Sequence, residues 1–310
     1  MHTAFISHPD CLLHEMGAYH PERPARLKAI DDELAACGLI DKMVRYSAPL
    51  ATHEQLKRVH TSEHITSLEA AAARASSAGL AYLDPDTAMN RYSLRAAYRA
   101  AGAVILATEL VIEGKVKNAF CSVRPPGHHA ERDRAMGFCL FNNIAAGAAH
   151  ALEAYALERI AIVDFDVHHG NGTEDIFRND PRVMMVSIFQ HPFYPYSGIA
   201  GRSERMVNIP LAAGSGGEIF RKVVSQFWIP ALERFKPQML FVSAGFDAHQ
   251  NDELASLNFA EDDYAWVTEK IREAAQKYAE GRIVSALEGG YALPALARSV
   301  TAHLRVLSGD

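Results

Sequence analysis

Residues 160–170 read Ile-Ala-Ile-Val-Asp-Phe-Asp-Val-His-His-Gly, so an apolar, β-branched run passes directly into carboxylates and imidazoles. A short apolar run of this kind is typical of a buried strand in a parallel sheet. Alternate side chains of a strand share one face, which puts Asp164, Asp166 and His168 on the same side. Because open parallel sheets bind ligands beyond the carboxyl ends of their strands, the segment predicts part of a metal site at that edge.

A second strand-like segment supplies a third candidate ligand. Residues 239–243 read Met-Leu-Phe-Val-Ser, and Asp247 follows them closely. Any single aspartate after a strand more often caps a turn. Asp166, His168 and Asp247 together, however, provide the three protein ligands that a catalytic zinc usually has. The same oxygen-rich set would also suit iron(II), cobalt(II) or manganese.

Strand-like and helical runs alternate along the chain. The strand-like runs cover residues 3–7, 118–123, 159–164, 183–189, 239–243 and 282–287. Apolar residues three and four apart predict helices at residues 92–113, 142–157, 217–234, 262–279 and 294–307. This alternation predicts an α/β fold in which helices cover both faces of a parallel sheet. The sequence contains no linker, repeat or low-complexity tract, so we expect a single domain over residues 1–310.

Two loops carry residues suited to acid–base chemistry. Residues 124–130, Arg-Pro-Pro-Gly-His-His-Ala, form a turn that two prolines and a glycine make rigid. The adjacent imidazoles of His128 and His129 suit proton transfer near neutral pH. Residues 288–291, Glu-Gly-Gly-Tyr, follow the last strand-like run, and Tyr291 has a hydroxyl that can donate to an oxyanion. Neither motif is specific on its own.

The order of these motifs resembles the zinc-dependent histone deacetylase superfamily, most closely its class II branch and the bacterial homologues, which include acetylpolyamine amidohydrolases. The motifs that carry the resemblance are residues 20–26, 125–129, 137–143, 164–173, 243–248 and 288–291. The resemblance implies the arginase/deacetylase fold, a single domain whose eight-stranded parallel sheet is flanked by helices and carries the active site at its carboxyl edge. It also implies one catalytic zinc ion held by Asp166, His168 and Asp247.

The resemblance implies a role for each catalytic residue. His129 is the general base and acid, while His128 acts through its charge and hydrogen bonding. Asp164 is the partner of His128, or a structural carboxylate beneath the metal, and Asn171 is the partner of His129. Class I enzymes carry aspartate at the position of Asn171, and asparagine orients an imidazole without supplying a full charge. Tyr291 donates to the oxyanion.

The substrate-binding residues are also implied by the resemblance. Gly137 and Phe138 match one wall of a narrow acyl-lysine tunnel. Tyr194 is expected to form the opposite wall, with Phe193 as the alternative, since two aromatic faces enclose an aliphatic stem well. Arg26 matches an arginine beside an internal acetate exit channel, or it forms a salt bridge on its own helix face.

The resemblance further implies structural potassium, which hard oxygen ligands favour. The inner potassium site is matched by Asp164, Ser187 and Ile188, and the outer potassium site by Phe177, Asp180 and Val183.

Three functions are consistent with these residues. The first is a lysine deacetylase or deacylase that releases acetate and a free amine from acylated peptides or proteins. The second is an acetylpolyamine amidohydrolase acting on a small acetylated amine. The third is a weakly active acyl-lysine binding module, which Tyr291 disfavours because class IIa relatives have histidine there. Leu254 stands where polyamine-selective relatives carry a gatekeeper glutamate and so favours the first function, although Glu253, Asp84 and Asp86 keep the second open.

Composition limits the partners that we expect. The formal net charge of −6 argues against general binding to nucleic acid or to an anionic membrane surface. No apolar run is long enough to span a bilayer. The chain starts without a signal peptide and its 4 cysteines lack paired spacing, which predicts reduced thiols in a cytoplasmic protein. The sequence carries no signal for a particular oligomeric state.

Overall fold

Eight parallel strands form the central sheet of the computed structural model, which describes residues 2–199 and 203–309. In chain order the strands are β1 (Thr3–Ser7), β2 (Val44–Ser47), β3 (Ala81–Tyr82), β4 (Ala88–Met89), β5 (Asn118–Cys121), β6 (Ile160–Asp164), β7 (Val183–Gln190), β8 (Met206–Leu211), β9 (Met239–Ala244) and β10 (Ile283–Leu287). Strands β3 and β4 form a separate antiparallel pair. The order of the others in the sheet is β2-β1-β5-β10-β9-β6-β7-β8.

Helices connect the strands and flank the sheet. Within the described residues the α-helices are α1 (Ala25–Ala36), α2 (His53–Leu56), α3 (Ser62–Ala78), α4 (Ser93–Ile112), α5 (Asn143–Ala154), α6 (Asn171–Phe177), α7 (Gly217–Val223), α8 (Ile229–Phe235), α9 (Glu261–Tyr278) and α10 (Leu293–Ser308). A π-helical segment, Val224–Trp228, joins α7 to α8. Helix α4 packs on α5 and β5, while α10 packs on α1 and α9. The α/β fold with an eight-stranded parallel sheet is confirmed.

Within the eight-stranded sheet, the two strands that the hydrophobic pattern does not predict are the edge strands β2 and β8. Strand β2 reads Val-Arg-Tyr-Ser, and most of its side chains are exposed. Strand β8 contains Pro210, which lacks an amide hydrogen and is tolerated at a sheet edge. The six predicted strands lie between these edges, where burial on both faces requires a continuous apolar run.

Strand register brings the carboxyl ends of β6 and β9 together. Asp164, the last residue of β6, pairs with Ser243 of β9 on one side and with Ser187 of β7 on the other. Strand β10 lies on the far side of β9. The residues that follow β6, β9 and β10 therefore leave the sheet at neighbouring points of one edge.

Within the described ranges, we find no helix that combines the length and the apolar character needed to cross a membrane. The four cysteines are unpaired; Cys11, Cys121 and Cys139 are buried and Cys37 is exposed.

Candidate active site

The three predicted metal ligands meet just beyond the carboxyl ends of β6 and β9. Oδ1 of Asp166 lies 2.9 Å from Nδ1 of His168, and Oδ2 of Asp247 lies 3.2 Å from the same nitrogen. One donor atom from each residue lies within 4.8 Å of the other two. The three atoms surround a single point, which is the arrangement that one bound ion requires.

Backbone amides fix the two carboxylates in place. The amides of His168 and Gly289 each donate to Asp166 over 2.9 Å, one to each carboxylate oxygen. The amide of Val167 donates to Oδ1 of Asp247 over 2.9 Å. These amides lie beyond the strand ends, where they take no part in the hydrogen bonds between strands. They donate to side-chain carboxylates instead. The loop after β10 thus supports a site whose ligands come from β6 and β9.

Gly289 allows the loop after β10 to approach the ligands closely. A Cβ atom on Gly289 would lie 1.9 Å from Oδ2 of Asp247 and 2.6 Å from Oδ2 of Asp166. A Cβ atom on Gly245 would lie 2.0 Å from Oδ2 of Asp166. Neither position has room for a side chain, so the glycines of these two motifs are a packing requirement of the site.

The donor set fits a divalent metal ion. Oδ2 of Asp247 is buried and accepts no well-formed hydrogen bond from the described part of the chain. Burial and the neighbouring Asp166 raise the pKa of Asp247 to about 6. Burial alone would lower the pKa of His168, but the adjacent carboxylates of Asp166 and Asp247 outweigh that effect and raise it to about 9. Two buried carboxylates whose donor oxygens lie within 4.8 Å of each other are stabilised by a positive charge between them. Zinc accepts such a set of one imidazole and two carboxylates.

His128 lies between two carboxylates. Its Nδ1 is 3.0 Å from Oδ2 of Asp164, and its Nε2 is 3.7 Å from Oδ1 of Asp166. Burial opposes the charged ring, but the charges of Asp166 and Asp164 outweigh burial and hold the pKa of His128 well above its usual value. The carboxylates on either side of the ring therefore favour its protonated form.

His129 has the opposite electrostatic environment. Its Nδ1 lies 2.7 Å from Oδ1 of Asn171, which has no charge to stabilise an imidazolium. Burial and the nearby rings of His128 and His168 hold the pKa of His129 well below its usual value. Because a carbonyl oxygen only accepts, Nδ1 carries the proton and Nε2 keeps its lone pair. The surroundings thus favour the charged form of His128 and the neutral form of His129.

Tyr291 lies on a loop whose backbone carbonyls accept hydrogen bonds from Arg26. The buried guanidinium of Arg26 donates to the carbonyl of Gly290 over 2.6 Å and to that of Glu288 over 2.5 Å. It also forms an ion pair with Glu22 at 3.2 Å and lies 4.9 Å from the centre of the Tyr291 ring. Arg26 does form a salt bridge, but its partner Glu22 precedes helix α1 rather than lying on it, and the same side chain hydrogen-bonds the Tyr291 loop.

A cavity of about 190 Å³ opens above the ligands. Its lining comprises Asp86, His129, Gly137, Phe138, His168, Tyr194, Leu254 and Tyr291. The predicted walls and the gatekeeper position thus line the same cavity as His129, His168 and Tyr291. Phe193, the alternative wall, stacks on the His168 ring with ring centres 5.3 Å apart.

The Phe138 wall is built on an unusual backbone. Phe138 has a φ of 69°, a left-handed conformation that bulky residues rarely adopt. Its amide donates to the hydroxyl of Thr87 over 3.0 Å. Gly137 precedes it with a φ of 56°, and a Cβ there would lie 2.4 Å from the His129 ring. The turn therefore brings the backbone of Gly137 against the ring of His129.

Two supporting carboxylates were not predicted as functional residues. Glu288 accepts hydrogen bonds from the amides of Gly127 and His128 at 2.7 and 3.1 Å, and burial raises its pKa to about 7. Asp252 accepts from the amide of Tyr291 at 2.6 Å and from that of Leu254 at 3.1 Å. Each carboxylate joins two loops of the site that are distant in sequence. Only the Glu-Gly-Gly-Tyr motif gave a signal for Glu288, and nothing local distinguishes Asp252.

The residues predicted for the inner potassium site lie side by side. Asp164 and Ser187 pair across β6 and β7, and both are buried, as is Ile188. The hydroxyl of Ser187 donates to Oδ1 of Asn208 over 2.8 Å.

At the predicted outer potassium site, formed by Phe177, Asp180 and Val183, two of the three residues contact an arginine side chain. The guanidinium of Arg205 donates to the carbonyl oxygens of Asp180 and Val183 at 2.6 and 3.3 Å. It also donates to the carbonyl of Arg178 at 3.2 Å. A side-chain cation thus contacts two of the three residues that the resemblance assigned to a potassium ion.

Comparisons with known proteins agree with this geometry. The chain matches the histone deacetylase domain over residues 20–307. It is 35% identical to the histone deacetylase-like amidohydrolase of Pseudomonas aeruginosa, over 93% of this chain and 81% of that protein. It is 35% identical to Type-2 histone deacetylase 2 of Dictyostelium discoideum over 99% of this chain, which spans 21% of that protein. The crystal structure of the HDA15 HD domain superimposes with a TM-score of 0.91 at 34% identity, covering 100% of this chain and 90% of that one.

Proposed function

The chain belongs to the histone deacetylase family of hydrolases, and we propose that it is a zinc-dependent amidohydrolase that removes acyl groups from lysine side chains of peptides or proteins. One observation carries this proposal. His168, one of the three candidate metal ligands, lines the same cavity as the imidazole of His129 and the side chain of Tyr291.

Asp166, His168 and Asp247 are the residues that would hold the ion. The chemistry that a zinc ion would supply there is polarisation of the substrate carbonyl and a lowered pKa of a water molecule. His129 takes the proton of that water on Nε2, because Nδ1 is engaged with Asn171. The same atom later returns the proton to the leaving amine, which departs as a free lysine side chain.

His128 and Tyr291 stabilise the charge that develops during the reaction. His128 stays protonated between Asp164 and Asp166, so it adds positive charge beside the reacting carbonyl. Tyr291 keeps its hydroxyl proton because burial raises its pKa well above the usual value. A neutral hydroxyl at the wall of the cavity donates to the oxyanion of the tetrahedral intermediate.

The shape of the cavity supports acyl-lysine as the substrate. Phe138 and Tyr194 enclose an apolar path to the ligands, and Leu254 at the rim offers no charge. Four methylene groups of a lysine suit such a path, since aromatic faces exclude water from an aliphatic stem. The additional ammonium groups of a free polyamine would require an anionic partner at the mouth.

One observation favours the acetylpolyamine alternative. Asp86 is among the residues that line the cavity, so a carboxylate does stand close to the mouth. A distal ammonium group of a polyamine would pair with it in a site that otherwise resembles an acyl-lysine tunnel.

A comparison of substrates decides between these functions. Steady-state rates of the zinc-loaded enzyme are measured on acetyl-lysine peptides, longer acyl-lysines, acetylspermidine and acetylputrescine. We expect a higher kcat/KM for acyl-lysine peptides, and Leu254→Glu should shift the ratio toward polyamines. A preference for acetylpolyamines of tenfold or more, abolished by Asp86→Asn, would establish the alternative.

A further inference from the structure

The amide of Asn171 joins His129 to a carboxylate outside the cavity. Oδ1 of Asn171 lies 2.7 Å from Nδ1 of His129. On its other side, Nδ2 of Asn171 donates to Oε1 of Glu131, also over 2.7 Å. A negative charge therefore lies one amide group away from the imidazole that acts as the base.

Several acceptors fix the orientation of the Asn171 amide. Besides Glu131, Nδ2 lies 3.3 Å from Sδ of Met136 and 3.5 Å from the carbonyl oxygen of His129. If the amide turned over, Oδ1 would face the Glu131 carboxylate and Nδ2 would face Nδ1 of His129. The first contact is repulsive, and the second favours the tautomer whose proton sits on Nε2. That tautomer has no lone pair for the proton of water.

Glu131 is itself held in place. Its Oε2 accepts from Nη2 of Arg134 over 2.9 Å, and its amide donates to the carbonyl of Arg134 over 2.9 Å. Its carbonyl accepts from Nδ1 of His60 over 3.0 Å. The Glu131 side chain is 23% exposed, so most of it is withdrawn from solvent. These contacts make Glu131 a fixed part of the turn that carries the histidines.

We propose that Glu131 is a positioning residue that acts on His129 through Asn171. It fixes the orientation of the amide, which selects the tautomer of His129 with a free Nε2. Through the Asn171 amide, its carboxylate also provides the negative charge that asparagine lacks. This inference rests on the proposed function, because the role of His129 as the base is assigned there.

The first test replaces Glu131 and separates turnover from binding. Glu131→Ala should lower kcat about 10- to 100-fold, as loss of a group behind a catalytic residue typically does, with KM and zinc content unchanged. Glu131→Gln should lose less, because its amide oxygen still accepts from Asn171. Glu153→Ala is the matched control, since Glu153 also pairs with an arginine, Arg182, at 3.0 Å but lies away from the site. Wild-type kcat in Glu131→Ala overturns the proposal.

The second test exchanges the two functional groups. Asn171→Asp alone would set two carboxylates about 2.7 Å apart, the present distance between Asn171 and Glu131, and should reduce kcat strongly. In the double variant with Glu131→Gln, the introduced amide can donate to the introduced carboxylate, and kcat should recover at least tenfold over Asn171→Asp. A double variant no more active than the single one contradicts the proposal.

A spectroscopic test is independent of turnover. Histidine ¹⁵N NMR of the intact protein should show His129 protonated on Nδ1 in the wild type and a mixture of tautomers in Glu131→Ala. An unchanged tautomer in Glu131→Ala refutes the proposal even if the wild-type protein is an active deacylase. A changed tautomer in a protein that hydrolyses no acyl amide supports the Glu131 contact and refutes the proposed function instead.

Discussion

Substitution of Gly289 by alanine tests how the loop after β10 shapes the metal site. The new Cβ atom would lie 1.9 Å from Oδ2 of Asp247, whereas ordinary contact begins near 3.4 Å. The carboxylate, or the loop, must therefore move by about 1.5 Å, the difference of these two distances. Coordination distances tolerate only about 0.2 Å, so we expect the ion to be lost or held weakly.

The magnitude follows from the same displacement. A misplaced ligand should lower metal affinity or kcat/KM by roughly 100-fold or more, and overpacking should cost about 1–3 kcal/mol of folding free energy. Zinc per chain is measured by elemental analysis, and stability by thermal unfolding with and without added zinc. Gly216→Ala is the matched control, because its Cβ would lie 3.3 Å from its nearest neighbour, the carbonyl of Asn258. Full zinc content and wild-type kcat/KM in Gly289→Ala would refute the reasoning.

Three further predictions concern the histidines and the tyrosine. Tyr291→Phe keeps the ring and removes the donor, so kcat should fall roughly 100- to 1,000-fold with zinc content unchanged; near-wild-type kcat on acetyl-lysine contradicts its role. His129→Ala should abolish turnover of unactivated amides more completely than His128→Ala at saturating substrate, and the reverse ranking would exchange their roles. Burial lowers the pKa of His60 and His303 to about 3, from about 6.5 in the unfolded chain. The unfolded state therefore binds more protons between these values, and the free energy of unfolding should fall as pH drops below about 6.5, by up to about 1.4 kcal/mol per pH unit for each histidine. Urea unfolding at pH 8 and pH 5 measures this loss, and equal stability at both would contradict it.

The parts of the fold that the sequence predicts are those fixed by burial. Strands β6 and β9 are apolar along most of their length because helices cover both faces, so their position and length are visible in the sequence. Strands β2 and β8 lie at the edges, where exposure and Pro210 remove that signal. Edge strands are specified by pairing with a neighbour, and a single sequence does not display pairing.

The same distinction applies to the site. The candidate ligands Asp166, His168 and Asp247 follow strands that are visible in the sequence, so chain direction predicts that they lie at one edge of the sheet. The pairing of β6 with β9, which the structure shows, brings them together. Asp252 joins loops through backbone amides, which leave no residue pattern. Arg205 donates to the carbonyl of Asp180 at the predicted outer potassium site. The two residues are 25 positions apart in sequence, and only the folded chain brings them together.

Reconstitution with zinc tests the central claim most directly. Metal-free protein is titrated with zinc while hydrolysis of an acetyl-lysine peptide is followed, with Asp247→Ala as the variant that lacks one ligand. We predict that activity rises from near zero to a plateau at one zinc ion per chain, and that Asp247→Ala neither binds the ion tightly nor gains activity. Full hydrolysis by the metal-free protein, or no hydrolysis of any acyl-lysine by the zinc-loaded protein, would contradict the account.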